Sequence, residues 1–258
     1  MNQEERKNYI LERLKISSSV SVAELSEAFG LSEVSVRKLL SEMEQEGALK
    51  RTWGGAVSAY GSLREFSHQE NEARQLEEKQ AIAREAYACI TDGEAVFLDS
   101  GTTTLELARL IVAGEKRKIV ACTNNIFIAA ELAKARDMRS IIIGGELRTN
   151  IYSCVGSLAQ QALAGLFFDK GFLSGNHFTL ERGFTTPTLG EAQLKQQVLA
   201  ASKERFLLMD YTKYGDDSMV QIAPPDGIDV LITDWHIPES VAQGFREKNV
   251  RVIAAQKE

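Results

Sequence analysis

The sequence predicts an α/β chain in two parts, a small N-terminal head of helices closed by a β-hairpin and a larger domain on a mainly parallel sheet. Three observations predict it. Two short amphipathic segments meet at a glycine between residues 21 and 47, a strand–turn–strand pattern follows at 48–57, and from residue 95 apolar runs alternate with helical periods. That alternation is how helices cover both faces of a parallel sheet.

The head is predicted from its punctuation. Ser21-Val22-Ala23-Glu24 reads as a capping box, and Val22, Leu25, Ala28 and Phe29 then share one helical face. Gly30 supplies a left-handed stop, and Leu31-Ser32 restarts a helix with Ser32 as its cap. Two helices turned at a glycine form a helix-turn-helix, whose second helix can enter the DNA major groove. Projected at about 100° per residue, Val36, Leu39, Leu40 and Met43 face inward. Val34, Arg37, Lys38 and Ser41 face outward, with Ser35 at their edge. Cations reach phosphates or guanine edges, and an apolar group meets a thymine methyl. A helical hairpin with a solvated face gives the same projection, so the hairpin that follows matters. Ala48 to Thr52 has strand character, Trp53-Gly54-Gly55 is a turn, and Ala56-Val57 returns, placing Lys50 and Arg51 on a wing near the same duplex. The head is assigned to residues 1–58.

Charge supports this only through its distribution. The 258-residue chain carries net −6, and residues 1–58 hold eight Lys/Arg against nine Glu. Arg37, Lys38, Lys50 and Arg51 nonetheless gather on the expected DNA side. No apolar run approaches the roughly 20 residues of a membrane helix, and no signal peptide is expected, which predicts a cytoplasmic chain. Cys89, Cys122 and Cys154 are isolated among apolar neighbours and read as buried thiols. His68, His177 and His236 have neither metal nor triad spacing, so no metal and no cofactor are expected.

Residues 59–78 read as a linker: Ala59 to Ser62 is small and loop-like, and Arg64 to Glu78 is a charged, solvated helix. Residues 79–258 form the larger domain. Its first helix carries Ile82, Ala83, Ala86 and Ile90 and stops at Asp92-Gly93. Strands are predicted at 95–98, 119–122, 141–143, 167–173, 206–209, 230–232 and 252–255, with helices near 104–112, 126–135, 158–166, 191–203 and 239–248. Ligands of such sheets bind beyond the carboxyl ends of the strands. The first strand ends in Asp99-Ser100-Gly101-Thr102-Thr103-Thr104 and runs into a helix. A glycine, several hydroxyls and an electropositive helix start make a phosphate cradle without the Walker signature. Thr123-Asn124-Asn125, Gly144-Gly145-Glu146 with Arg148, Ser174-Gly175-Asn176, and Asp210-Tyr211-Thr212-Lys213 end later strands. Together they point to an anionic, polyhydroxylated ligand.

The head resembles that of DeoR-family bacterial transcription regulators. Their Ser-Xaa-Xaa-Thr-Ile-Arg-Arg-Asp-Leu-like recognition run is matched by Ser32 to Leu40, and their Gly-Gly-Ala wing turn by Gly54 to Ala56. Leu39 replaces the family's acid, and Trp53 stands where the family often has His. The larger domain resembles the family's sensor domain, which is similar to ribose-5-phosphate isomerase. The Asp-Ser-Gly-Thr-Thr loop matches Asp99 to Thr103, Thr-Asn matches Thr123-Asn124, Gly-Gly matches Gly144-Gly145, and Asp-Xaa-Ser-Lys matches Asp210 to Lys213 with Thr212 for Ser. The resemblance implies a phosphorylated sugar effector with its phosphate at Ser100 to Thr103. It further implies Lys213 as a nearby cation, Asp99 and Asn124 on hydroxyls, and Asn176-His177-Phe178 with Arg182 in a segment that varies with the sugar.

The rival is an isomerase, which needs a carboxylate base near the reacting carbon. Asp99, Asp169, Glu191 and Asp210 are the candidates, but the clustered acids of such isomerases are replaced by Asp169-Lys170-Gly171-Phe172. The expectation is therefore a repressor rather than an enzyme. Its partners would be double-stranded operator DNA, a phosphorylated sugar and a second copy or more, as a homodimer or homotetramer.

Overall fold

The computed structural model describes residues 1–16, 19–52, 54–58, 65–135 and 138–257, in two compact units, Met1–Arg64 and Glu65–Glu258. Trp53 and the expected loop at 59–62, with Arg64, lie outside the described residues.

The first unit runs α1 (Gln3–Ile16), β1 (Ser19–Ser21), α2 (Val22–Phe29), α3 (Glu33–Gln45), β2 (Leu49–Thr52) and β3 (Gly55–Ser58). The Ser21 hydroxyl accepts the Glu24 N–H at 3.1 Å, and the Ser21 N–H donates to the Glu24 carboxylate at 3.0 Å, so both free amides are satisfied reciprocally. Gly30 ends α2 at φ 61°, a conformation that a Cβ opposes. Ser32 then caps α3 by accepting the Ser35 N–H at 3.3 Å. Val36, Leu39, Leu40 and Met43 are buried against Leu25, Ile10 and Leu14. The wing is a three-stranded antiparallel sheet in the order β1-β3-β2. Its extra strand, Ser19-Val20-Ser21, is too short and polar to carry a strand signal in sequence.

The second unit opens with α4 (His68–Ala73) and α5 (Leu76–Ala88). There follow β4 (Ala95–Leu98), α6 (Thr102–Ala113), β5 (Val120–Thr123), α7 (Ile126–Leu132), β6 (Arg139–Ile142), β7 (Glu146–Arg148), β8 (Ser153–Val155), α8 (Ser157–Leu163) and β9 (Phe168–Leu173). The chain continues through β10 (His177–Thr179), β11 (Gly183–Thr186), α9 (Leu189–Ala201), β12 (Ser202–Leu208), β13 (Val220–Ala223), β14 (Val230–Thr233), α10 (Glu239–Arg246) and β15 (Arg251–Ala254). The seven predicted runs form one sheet in the order β15-β14-β12-β9-β4-β5-β6, every pair parallel. The central strands are covered on both faces, which is why β4, β5 and β14 read as near-continuous apolar runs, while edge strand β6 is largely exposed. Val96, Leu98, Phe172, Phe206, Leu208 and Ile232 pack with Ile82, Ala86, Leu105, Leu107 and Ile128 of α5, α6 and α7. Phe97, Leu173, Leu207 and Leu231 turn to the opposite side with Leu163, Leu194, Val198, Val241 and Phe245 of α8, α9 and α10.

Two small sheets were not predicted: the β7–β8 hairpin and the antiparallel set β10-β11-β13. Both are built of strands only three or four residues long, too short to show an alternating pattern in sequence. The helix expected from Arg64 to Glu78 is corrected. Described residues 65–78 belong to the second unit, and the helix is broken at Gln75, which is left-handed at φ 47°. The segment is docked rather than solvated: the His68 N–H donates to the Asn150 carbonyl at 2.7 Å, and Arg109 pairs with Glu72 at 2.9 Å. The His68 ring, buried, stacks on Phe127 with centroids 4.5 Å apart. Among the described residues no helix is long and apolar enough to cross a membrane.

Candidate functional site

The carboxyl ends of β4, β9 and β12 meet at one cavity in the second unit, and the helix pair α4–α5 supplies another of its walls. The β4–α6 turn contributes Ser100, Gly101, Thr102 and Thr103 to the lining. Gly101 is the N-cap of α6 and no side chain caps that helix, so the first-turn amides and the positive end of the helix dipole are offered to an anion. The glycine is demanded by close approach, since a Cβ there would sit 2.2 Å from Ser174 Oγ. Thr104 is not part of the cradle. Its hydroxyl donates back to the Asp99 carbonyl at 2.5 Å and to the Gly101 carbonyl at 2.7 Å.

Beneath the turn is a buried ionic cluster. Asp99 Oδ2 accepts the Ser174 N–H at 3.0 Å, the Ser174 hydroxyl at 2.9 Å and the Lys195 ammonium. Lys195 also lies 3.8 Å from Glu191, one turn earlier on α9. Glu191 accepts the Ser100 hydroxyl at 3.4 Å and the Ser153 hydroxyl, and it pairs with Arg148 at 3.3 Å. Arg148 is in turn held by Glu65, one bond of that pair measuring 3.1 Å. Each charge has a partner, as burial requires.

Two lysines differ. Lys79 donates only to the Asn71 carbonyl, and Lys213 makes no ion pair among the described residues. Burial pushes the Lys79 ammonium down to about 8, against the pull of Asp210 and Glu106 and with Lys213 and Arg74 adding to the depression. Lys213 is lowered as well, first by burial, then by Arg74 and Lys195. Asp210 is close enough to raise both lysines, and its carboxylate accepts the Thr212 N–H at 3.1 Å. An enclosed cation with no bound counter-charge is costly, and a ligand anion would relieve that cost.

The predicted residues therefore divide. Ser100, Gly101, Thr102, Thr103 and Lys213 line the cavity together. Asp99 is not in the lining and is engaged by Lys195 and Ser174. Thr123 and Asn124 are wholly buried and do not line this cavity. The Thr123 hydroxyl accepts the Asn125 N–H at 3.1 Å, and the Asn124 amide donates to the Cys154 carbonyl at 3.1 Å, tying down β8. Gly144 and Gly145 form an exposed turn away from the lining, and Arg148 stands behind Glu65 and Glu191. Asn176 lines the cavity while His177 does not; burial pushes the His177 ring down to about 4, and its Nδ1 shares a 2.9 Å hydrogen bond with Ser218. Sequence reasoning missed Lys79 and Lys195 and noticed Glu191 only as a possible base. The available signal was that Glu191 and Lys195 lie at i, i+4 on the same helix face as the core residue Val198.

On the first unit, Val34 is 76% exposed. Ser32, Ser35, Arg37 and Lys38 are exposed beside it, and Ser41 is half-buried. Arg37 pairs with Glu33 at 2.8 Å and Ser32 shares a 3.0 Å hydrogen bond with Ser35. Lys50 and Arg51 are exposed on β2, but consecutive strand residues point to opposite faces, so the two cannot meet one backbone side by side.

The shift of Lys79 has a consequence for anion binding. A lysine lowered from 10.5 to about 8 on folding imposes its charging penalty fully below about pH 8, and the penalty is relieved as pH rises towards the unfolded value. An anion favours the protonated form. Affinity for a phosphate ester, measured by calorimetry from pH 7 to 9.5, should fall as pH rises through about 8, by at most about tenfold per unit. Lys79→Arg, which stays charged, should flatten the profile; an unchanged slope would take Lys79 out of the site.

Comparison with known proteins agrees with both units. The model of the DeoR-like helix-turn-helix domain matches residues 6–60, and that of the DeoR C-terminal sensor domain matches residues 74–235. The HTH-type transcriptional regulator GlpR of Haloferax volcanii is 34% identical over 96% of this chain and 96% of its own. The lactose phosphotransferase system repressor of Staphylococcus aureus is 33% identical over 93% and 96%. Among solved structures, ribose 5-phosphate isomerase A from Neisseria gonorrhoeae overlaps 54% of this chain and about half of its own (53%), at 16% identity and a TM-score of 0.37. Relatives that span nearly the whole chain are regulators, and the rival isomerase reading finds no support among them. The chain belongs to the DeoR family of helix-turn-helix transcription regulators.

Proposed function

We propose that this regulator represses a carbohydrate-metabolism operon and is controlled by a phosphorylated sugar bound in the cavity of the second unit. One observation carries the reading: the uncapped start of α6 and the unpaired Lys213 open into the same cavity. Free helix-start amides and an ammonium held in no ion pair among the described residues suit a phosphate, while Ser174, Asn176 and Asp210 in the same lining suit hydroxyls. The printed name of the Staphylococcus aureus relative, a lactose phosphotransferase system repressor, points to the same substrate class. The operator partner would be met by α3 through Ser32, Val34, Ser35, Arg37, Lys38 and Ser41, with Lys50 or Arg51 on the flanking backbone. A homodimer or homotetramer would read paired half-sites, and effector binding would release the operator.

Two measurements test this. Thermal shift should show stabilisation by a phosphorylated sugar and far less by the same sugar without phosphate; ligand at ~100 times its dissociation constant adds about 2.7 kcal/mol. Lys213→Ala should lose the shift yet bind operator normally, and equal shifts from both sugars would remove the phosphate from the account. For DNA, Arg37→Ala and Lys38→Ala should each weaken operator binding, with the salt slope lowered by roughly one unit per lost phosphate contact. Both side chains project from the core, so folding should survive. Unchanged affinity in the double variant would exclude α3 as the reading helix.

A further inference from the structure

The charge balance of the cavity singles out one carboxylate. Lys79, Lys195 and Lys213 line it together with Glu65, Glu191 and Asp210, while Asp99 pairs with Lys195 below and Arg148 with Glu191 behind. The lining itself thus sets three lysines against three carboxylates, with Arg74 a further cation acting on Lys79 and Lys213 from outside it. A phosphate monoester brings nearly two further negative charges, so its entry is favoured if a carboxylate leaves.

The four acids are not equally able to leave. Asp99 is fixed by Lys195 and by two bonds from Ser174. Glu191 is fixed by Ser100, Ser153, Lys195 and Arg148. Asp210 ends β12, and its side chain caps the turn that follows. Glu65 comes from the non-helical stretch ahead of α4, and its contacts are Arg148 and Asn150, the latter at 2.5 Å. When Glu65 departs, Arg148 still has Glu191 at 3.3 Å, so no buried cation is stranded, which is the usual heavy cost of breaking such a pair. Glu65 is also the first residue of the second unit and follows directly on Arg64.

Resting on the phosphorylated-sugar reading, we propose that Glu65 is a built-in competitor of the effector's phosphate. Its carboxylate and the phosphate exclude each other from the cavity, so that effector binding frees residues 65–67, the covalent path from the sensor unit to the head. The residue would set both effector affinity and the coupling to DNA.

The test uses the full chain and inorganic phosphate as probe, followed by phosphorus NMR titration. Glu65→Gln keeps the shape and removes the charge, and it should tighten phosphate binding about tenfold, or ~1.4 kcal/mol. In the unaltered chain, saturating phosphate should accelerate hydrogen exchange of the His68 amide, which is bonded to the Asn150 carbonyl at 2.7 Å; this decides the matter should the variant not fold. Weaker or unchanged binding in Glu65→Gln, or undiminished His68 protection, overturns the competitor role while leaving the sugar-phosphate site standing. Absence of phosphate binding in both chains overturns the site and the competitor together.

Discussion

The buried pair between Lys195 and Asp99 is the constraint around which the sensor unit is arranged. Both residues are almost without solvent access, and a charge so placed is tolerated only with a close partner and further hydrogen bonds. Meeting that condition fixes three separate parts of the chain. Asp99 ends β4, Ser174 follows β9, and Lys195 comes from α9. The same lysine lies beside Glu191, which gathers the hydroxyls of Ser100 and Ser153 and the guanidinium of Arg148. The wall of the cavity is thus one connected ionic network, and the uncapped start of α6 is held against it.

That network also engages most of the strand-end acids that an isomerase would need free. A general base must hold a free lone pair within reach of a substrate proton. Asp99 spends its charge on Lys195 and Ser174, and Glu191 spends its own on four partners. Asp169 accepts the Ala95 N–H at 2.9 Å and pairs with Lys203 at 2.6 Å, away from the cavity, and Asp210, which does line it, caps the following turn by accepting the Thr212 N–H at 3.1 Å. Lys79, whose ammonium reaches only a backbone carbonyl, and Lys213, without an ion pair among the described residues, suit holding an anion.

Much of this was legible in the sequence, and the remainder was not for definable reasons. The central strands of the main sheet showed because parallel strands buried on both faces are apolar nearly throughout. The recognition helix showed because Ser21, Glu24, Gly30 and Ser32 each perform a local task that needs no distant partner. The turn Ser100 to Thr103 was legible as a strand end running into a helix for the same reason. What could not be read was distant pairing. Lys195 looks like an ordinary helical lysine until Asp99, far away in sequence, is seen beside it. Residues 65–78 look like a solvated linker until Arg148, Asn150 and Arg109 are seen to hold Glu65, His68 and Glu72. Thr123 and Asn124 show that a polar strand end can serve a neighbouring hairpin, since Asn124 donates to the Cys154 carbonyl.

On the proposed reading a sugar phosphate and the operator bind with coupled affinities, and such coupling is reciprocal: if effector weakens DNA binding by some factor, DNA must weaken effector binding by the same factor. The most direct measurement is the dissociation constant of one phosphorylated sugar, determined by calorimetry on the free protein and again on its saturated operator complex. A coupling of about 1–3 kcal/mol predicts affinity roughly 5- to 150-fold weaker on the DNA complex. Equal constants in the two states would contradict the account, because a ligand that binds both equally shifts neither.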